Sequence, residues 1–213
     1  MPSDLAGVLG AAAAALEEAA PELNRLDGFA GDGDMGVTMT AAARAVRAVL
    51  AEGAAAKEGQ AALLVACGSA LATKAPSTSG TLLATGLLRA AKALGQGTAG
   101  PTQALAEAFA AALGGIQARG KASVGDRTMV DALDAASNSL RAAAQDGKDW
   151  REALAGAAAA AAGAAEASAD LEPKVGRASW VPQRAVGHPD AGCMMVAVVL
   201  GASAAYCGQD QQG

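Results

Sequence analysis

The sequence predicts an all-α protein, and three features of its 213 residues support that fold class. Hydrophobic residues make up 52% of the chain, enough to fill a core, whereas aromatic residues make up only 2%. Alanine, the best helix former, is abundant, and the β-branched and aromatic residues that strands favour are sparse. Helical patterns recur along the chain between clusters of Gly, Pro, Ser or Asp. We therefore expect one domain, residues 1–213, built from helices alone.

The first half of the chain is expected to form four helices. Ser3 is a suitable N-cap for a first helix that runs to about Ala19. Pro21 interrupts the helical pattern just after it. A glycine-rich acidic stretch and, later, the Pro-Ser-Thr-Ser-Gly run at residues 76–80 separate the next helices. The second, third and fourth helices are predicted at residues 37–52, 58–73 and 81–94.

The second half is expected to add four more helices, which makes eight in all. Proline is favoured in the first turn of a helix, and aspartate is favoured as an N-cap. The fifth helix begins at Pro101 and ends near Gly120, and the sixth is capped by Asp126 and runs to Ala144. The seventh opens at Asp149 and includes the alanine run 157–162. A polar loop follows at residues 171–189, and the last helix is then capped by Asp190 and runs to Tyr206.

Polar, chemically unusual loops alternate with plain connections along the chain. In an up-and-down bundle of helices, alternate loops lie at the same end. The sequence therefore predicts a single site at one end of the bundle, formed by the loops at residues 26–36, 75–80, 120–129 and 176–192.

The first of these loops carries Asp27, Asp32 and Asp34 among four glycines. Three carboxylates so close together repel one another unless they are solvated or bridged by a cation, and glycines permit the turns that would bring them together. Carboxylate oxygens suit hard cations such as Mg²⁺ or Ca²⁺, and a solvated acidic turn is the alternative. The loop leads directly into a helix start, whose free amides would suit a phosphate oxygen.

Charge and cysteine content exclude several classes of function. The net charge is −5 and there is no run of Lys or Arg, so binding to nucleic acid is not expected. The longest apolar stretch, residues 193–207, is shorter than a membrane span and is expected to be a buried helix. The three cysteines are expected to be reduced core residues. With no signal-peptide pattern at the N-terminus, these features indicate a cytoplasmic protein without membrane or nucleic-acid partners.

Five motifs in order along the chain resemble those of the nucleotide-binding (L) subunit or domain of dihydroxyacetone kinases. They are Leu26-Asp27 with Gly31-Asp32-Gly33-Asp34-x-Gly36, then Ser79-Gly80, the run from Gly125 to Leu133, Gly176-Arg177-Ala178-Ser179, and the run from Gly187 to Gly192. The resemblance implies an eight-helix antiparallel barrel with the nucleotide at one end. It also implies that Asp27, Asp32 and Asp34 bind two Mg²⁺ ions that bridge the phosphates of ADP or ATP.

The same resemblance assigns the nucleotide contacts. They are Met35, Gly36, Val37, Thr38, Ser79, Gly80, Gly120, Met129, Arg177, Asp190, Ala191 and Gly192, with Gly120 and Met129 beside the base and Arg177 beside the phosphates. Arg177 is also the catalytic candidate, since its planar fork suits phosphate oxygens. Two positions depart from the family: Met35 replaces a usual His, Cys or Thr, and Ala191 replaces a usual Pro. The single histidine, His188, is expected to have a structural role.

In such a kinase this chain would hold Mg-ADP or Mg-ATP, and the terminal phosphoryl group would pass to a short ketose on a separate substrate-binding subunit. The donor is either ATP or a phosphotransferase-system protein that rephosphorylates a retained ADP. Met35 and Thr38 are not the His and Asn of the second type, which favours ATP. The alternative from another class is a non-catalytic nucleotide-binding module that regulates a partner protein.

Overall fold

A computed structural model describes residues 4–96 and 100–209 and contains, within those ranges, ten α-helices, two short 3₁₀-helices and no strand. The α-helices are α1 (Leu5–Asp27), α2 (Met35–Glu52), α3 (Ala54–Lys57), α4 (Gln60–Lys74), α5 (Thr78–Gln96), α6 (Pro101–Gly120), α7 (Met129–Gln145), α8 (Trp150–Ala167), α9 (Pro182–Ala185) and α10 (Ala191–Gln209). Eight of them are long, and α3 and α9 have four residues each. The predicted all-α class and the eight long helices are confirmed.

The eight long helices form a closed ring. Each packs against the next one along the chain, and α10 returns to pack against α1. Successive long helices joined by short connections run in opposite directions, so the fold is the antiparallel up-and-down barrel that the sequence predicts.

Alanine sets the packing of the helices. On α8, Ala153, Ala157, Ala161 and Ala165 are all buried and follow one another at intervals of four residues, so they form one stripe on the face of the helix. This stripe lets α8 lie close to α7 and α10, because a methyl group is the smallest side chain that still buries apolar surface. All three cysteines, Cys67, Cys193 and Cys207, lie within the described residues, are buried and form no disulfide bond, as predicted.

The last helix is long and apolar enough to cross a membrane, with a mean hydropathy of 1.7. In the fold, α10 packs against α1, α7 and α8 and buries Met195 and Leu200 among them. A core helix passes the same test of length and composition, and the packing agrees with the predicted buried helix.

The first helix differs from its prediction at both ends. Ser3 lies outside the described residues, and Asp4 caps α1 by accepting a hydrogen bond from the Gly7 amide at 2.8 Å. Pro21 does not break the helix, which continues to Asp27. Pro21 is solvent-exposed, so the carbonyl that loses its donor can bond to water, and burial of Leu23 and Leu26 holds the helix together beyond it.

Two later boundaries also differ. The fourth long helix, α5, begins at Thr78 rather than at residue 81, because the Ser77 hydroxyl accepts a hydrogen bond from the Gly80 amide at 3.0 Å and so caps it early. Ser79 and Gly80 therefore lie in the first turn of a helix and not in a loop. The predicted loop at 171–189 contains a 3₁₀-turn, Arg177–Trp180, followed by α9.

Candidate functional site

The acidic loop, residues 28–34, joins α1 to α2 and is shaped by the carboxylate that precedes it. Asp27 ends α1, and its Oδ2 accepts hydrogen bonds from the amides of Gly33 (2.8 Å) and Asp34 (3.1 Å). Gly33 has a φ of +74°, which favours glycine. A Cβ on Gly31 would overlap the Asp27 carboxylate. The loop is therefore wound around Asp27, and two of its glycines are required by that geometry.

The loop brings together the three carboxylates predicted as metal ligands. One oxygen from each of Asp27, Asp32 and Asp34 lies within 4.8 Å of the others. Asp32 and Asp34 are exposed and Asp27 is half-buried, so the group opens to solvent on one side. This donor chemistry fits Mg²⁺, which takes a few carboxylates and keeps sites for water or phosphate. Arg177 forms an ion pair with Asp32 on the exposed side of the group.

The start of α2 is fastened to α1 by Asn24. Its Oδ1 accepts hydrogen bonds from the amides of Gly36 (2.6 Å) and Val37 (3.3 Å). A Cβ on Gly36 would overlap the carbonyl oxygen of Ala20, so glycine permits the close approach of the two helices. The expectation that amides at this helix start are free for phosphate is therefore wrong for these two, which already donate within the protein.

The start of α5 presents hydroxyl groups to the same region. Thr78, Ser79 and Thr81 border the cavity described below. Gly80 is buried against the backbone of Ala75, where a Cβ would overlap a carbonyl oxygen. The Gly80 and Thr81 amides already donate to Ser77, so a phosphate at this end of α5 would meet the amides of Thr78 and Ser79 and the neighbouring hydroxyl groups.

Helix α7 is capped two residues later than predicted, at the end of the loop that precedes it. Thr128, not Asp126, is the N-cap, and it forms a capping box with Asp131. Asp126 instead accepts a hydrogen bond from the Ser123 amide at 2.7 Å, and its backbone oxygen accepts one from the Lys174 amide at 3.2 Å. It therefore orders the loop rather than the helix.

Arg127 holds the segment between α8 and α10, residues 168–190, which we call the anchored segment. Its side chain is buried and donates hydrogen bonds to three backbone carbonyls: Nε to Ser168 (3.0 Å) and Nη2 to Ala185 (2.8 Å) and His188 (2.6 Å). The Arg127 backbone has a φ of 61°. A buried guanidinium with several carbonyl partners fixes the path of the whole segment.

Asp190 caps α10, as predicted, and this half-buried residue borders the cavity. Its Oδ2 accepts a hydrogen bond from the Cys193 amide at 2.9 Å, and its own amide donates to the Ser168 hydroxyl at 2.8 Å. Burial raises the pKa of Asp190 from 3.8 to about 6, although the bond from Cys193 and the charge of Arg127 both oppose this rise. Burial also raises the pKa of the Cys193 thiol, so that group stays protonated.

The four predicted loops meet around one cavity of about 980 Å³. This volume suits a nucleotide. Its polar lining includes the acidic group, the start of α5 and Arg177. Its apolar lining consists of Leu82, Ile116, Ala122, Met129, Val130 and Val175.

Most of the predicted site residues border this cavity. They are Asp27, Asp32, Asp34, Met35, Thr38, Ser79, Gly120, Met129, Arg177, Asp190, Ala191 and Gly192. The structure does not bring Gly36, Val37 or Gly80 to its wall: Gly36 and Gly80 are buried in helix packing, and Val37 is exposed. Their family roles as nucleotide contacts stay predictions.

Several site residues were missed from the sequence. Arg127 stands inside a quoted motif, between Asp126 and Thr128, so its position was a usable signal. No sequence signal marked Asn24, Leu82 or Ile116 as site residues. Helical periodicity does not show which residues at the end of a helix face a shared cavity.

Comparison with known proteins agrees with the fold and the motifs. The family model of the DAK2 domain matches residues 29–205 of this chain. The chain is 39% identical over 199 residues to the D-erythrulose kinase of Mycolicibacterium smegmatis, covering 91% of this chain and 33% of that protein. It is 38% identical over 178 residues to the triokinase/FMN cyclase of Homo sapiens, covering 84% of this chain and 30% of that protein.

A solved structure resembles the whole described fold. The dihydroxyacetone kinase of C. freundii, in complex with AMP-PNP and Mg²⁺, superimposes with a TM-score of 0.75 at 30% identity, covering 96% of this chain and 34% of that one. The chain thus spans about a third of the length of these relatives. It belongs to the DAK2 domain family, the nucleotide-binding domain of dihydroxyacetone kinases.

Proposed function

We propose that this chain is the nucleotide-holding part of a kinase that phosphorylates a short ketose. The observation that carries the proposal is the convergence of Asp27, Asp32 and Asp34 within 4.8 Å at one wall of a nucleotide-sized cavity. The relatives named as D-erythrulose kinase and dihydroxyacetone kinase, one of them solved with AMP-PNP and Mg²⁺, support the reaction class and the substrate class.

The three aspartates would hold two Mg²⁺ ions against the nucleotide phosphates. When bound, magnesium supplies the positive charge that lets phosphates lie beside carboxylates. Ser79 and its neighbour Thr78 would bind phosphate oxygens through the start of α5. The apolar lining residues, among them Met129 and Leu82, would enclose the base, with Gly120 leaving room beside it.

Arg177 would assist the transfer itself. Phosphoryl transfer depends on positioning and on neutralising charge rather than on a protein nucleophile. The guanidinium of Arg177 is exposed and already lies against Asp32, so it can move onto the terminal phosphoryl group without leaving the cavity rim. There its fork of donors would stabilise charge on the transferred oxygens.

The ketose would arrive on a separate substrate-binding part of the kinase, as a subunit or a further domain. The relatives are about three times the length covered here, which leaves room in them for such a part. Trp180 supports docking at this end, since it is 79% exposed on the same 3₁₀-turn as Arg177. We expect no phosphorylation of dihydroxyacetone by this chain alone and full turnover with its partner. We place the complex in the cytoplasm.

The phosphoryl donor is either ATP or a phosphotransferase-system protein that acts on retained ADP. Nucleotide exchange distinguishes the two: ADP that leaves within a turnover indicates ATP, and ADP that stays bound indicates the protein donor. Met35 and Thr38 at the cavity rim favour ATP.

Calorimetry of Mg-ADP binding tests the proposal. We expect the wild type to bind and Asp32→Ala to bind at least about a hundredfold more weakly, since even residues behind a metal ligand change metal affinity by about 10–100-fold. Glu58→Ala removes an exposed carboxylate outside the cavity and serves as the matched control. A wild type that does not bind Mg-ADP, or an Asp32→Ala variant that binds as well as the control, would overturn the proposal.

A further inference from the structure

The acidic loop and the anchored segment are joined by an aromatic stack. The rings of Phe29 and His188 lie parallel, with centroids 3.5 Å apart and an angle of 3° between their planes. Phe29 belongs to the acidic loop, and His188 lies two residues before the cap of α10. Aromatic pairs in contact contribute about 0.5–1.5 kcal/mol beyond the area that they bury.

Each residue of the pair is held by an arginine from another part of the chain. The Arg25 guanidinium carbon lies 5.4 Å from the Phe29 ring centroid, and Arg25 is itself fixed by two hydrogen bonds to Glu22, at 2.7 and 2.6 Å. On the other side, the carbonyl oxygen of His188 accepts the hydrogen bond from buried Arg127. The histidine is therefore fixed to the core, and the phenylalanine joins the acidic loop to it.

A second link joins the same two segments, but it uses a metal ligand. The ion pair between Asp32 and Arg177 is exposed, and it engages the carboxylate that a divalent cation would take. Binding of a cation and a phosphate would compete for both partners. The stack uses neither group, so it is the link that persists when the site is filled.

We propose that Phe29 and His188 form a clasp that holds the acidic loop against the anchored segment, and that both are positioning residues for the metal–nucleotide complex. Their role is to keep Asp32 and Asp34 in register with Arg177 across the cavity rim. His188 acts through the face of its ring and its backbone, not as an acid or base. This inference rests on the proposed nucleotide-binding function.

The test is a double-mutant cycle on Mg-ADP affinity, measured by calorimetry over a range of Mg²⁺ concentrations. We expect Phe29→Leu and His188→Ala each to raise the Kd about fivefold, the equivalent of about 1 kcal/mol, and to raise the Mg²⁺ concentration needed for half-saturation. The double variant should be no weaker than either single variant, because the two substitutions remove one shared contact. His188→Phe keeps a ring to stack and should bind within about twofold of the wild type.

Phe109→Leu is the matched control, since the chain has only two phenylalanines and Phe109 packs against the core on α6. It should lower thermal stability without changing the Kd. Additive losses in the cycle, unchanged affinity in Phe29→Leu, or a loss in His188→Phe equal to that in His188→Ala would overturn the clasp. Failure of the wild type to bind Mg-ADP would instead overturn the proposed function, so the two failures are distinguishable.

Discussion

The acidic loop and the anchored segment meet at the cavity rim, yet different contacts hold them in place. The acidic loop is shaped by hydrogen bonds from its own backbone to Asp27, a metal-ligand candidate. The anchored segment is held by the hydrogen bonds of buried Arg127, while exposed Arg177 pairs with Asp32 at the cavity. In the first region one residue serves both structure and proposed chemistry, and in the second two arginines divide these tasks. Substitutions in the two regions should therefore have different consequences.

The largest effect is expected at Arg127. In Arg127→Met three carbonyls lose their donor and the Asp190 carboxylate loses its neighbouring charge. We expect the free energy of unfolding to fall by about 3–5 kcal/mol, as for breaking a buried ionic network. Urea denaturation measures this loss. Arg177→Met, at the exposed arginine, should change stability by less than about 0.5 kcal/mol. Equal losses in the two variants would refute the division of tasks.

The next effect tests the burial of Asp190 in the same region. Because the folded-state pKa, about 6, lies above the ordinary 3.8, the folded protein holds this proton more tightly than the unfolded chain does. The resulting stability is present below pH 4 and is lost as the pH rises to about 6; it amounts to at most about 3 kcal/mol.

Asp190→Asn should remove this component of the pH dependence. Subtracting the unfolding free energies of variant and wild type between pH 4 and pH 7, without nucleotide, isolates it from the other carboxylates. A difference that is constant across this range would show that the carboxylate is solvated rather than buried.

A smaller effect distinguishes the aspartates of the acidic loop from one another. Asp27→Ala removes the acceptor of two backbone hydrogen bonds, so we expect a loss of about 1–2 kcal/mol in unfolding free energy together with loss of Mg-ADP binding. Asp32→Ala should lose binding with no comparable loss of stability. Asp27→Asn keeps an acceptor oxygen and should recover stability but not binding. If Asp27→Ala and Asp32→Ala are equally stable, the loop is not organised by Asp27.

Local sequence patterns predict some of the site residues and most of the helices. Asp27, Asp32 and Asp34 are recognisable because carboxylates crowded among glycines have few structural explanations, and Asp190 because a helix follows it directly. Most of the long helices follow from apolar periodicity over long segments. The last one, α10, follows instead from an apolar stretch after its cap.

Other features depend on contacts between distant parts of the chain. Pro21 reads as a helix end, and only the burial of Leu23 and Leu26 beyond it shows that the helix continues. The choice between Asp126 and Thr128 as the N-cap of α7 is local instead, because Asp131, three residues after Thr128, completes a capping box with it. The Phe29–His188 stack joins residues far apart in sequence, which no local pattern reveals.

The smallest effect on stability is expected on the outer face of the anchored segment, where Trp180 is exposed. With 79% of its surface in solvent, Trp180 contributes little to folding, so Trp180→Ser should change the free energy of unfolding by less than about 0.5 kcal/mol. Mg-ADP affinity should also be unchanged, because Trp180 does not border the cavity.

If the substrate-binding partner docks at Trp180, however, the partner concentration needed for half-maximal phosphoryl transfer should rise about tenfold in Trp180→Ser, as for loss of an interface tryptophan. Val65→Ser, at another exposed apolar residue but on α4, should leave that concentration unchanged. Equal transfer by the two variants would place the docking surface elsewhere, whereas a loss in Trp180→Ser alone would show that the anchored segment presents one face to the nucleotide and the other to the partner.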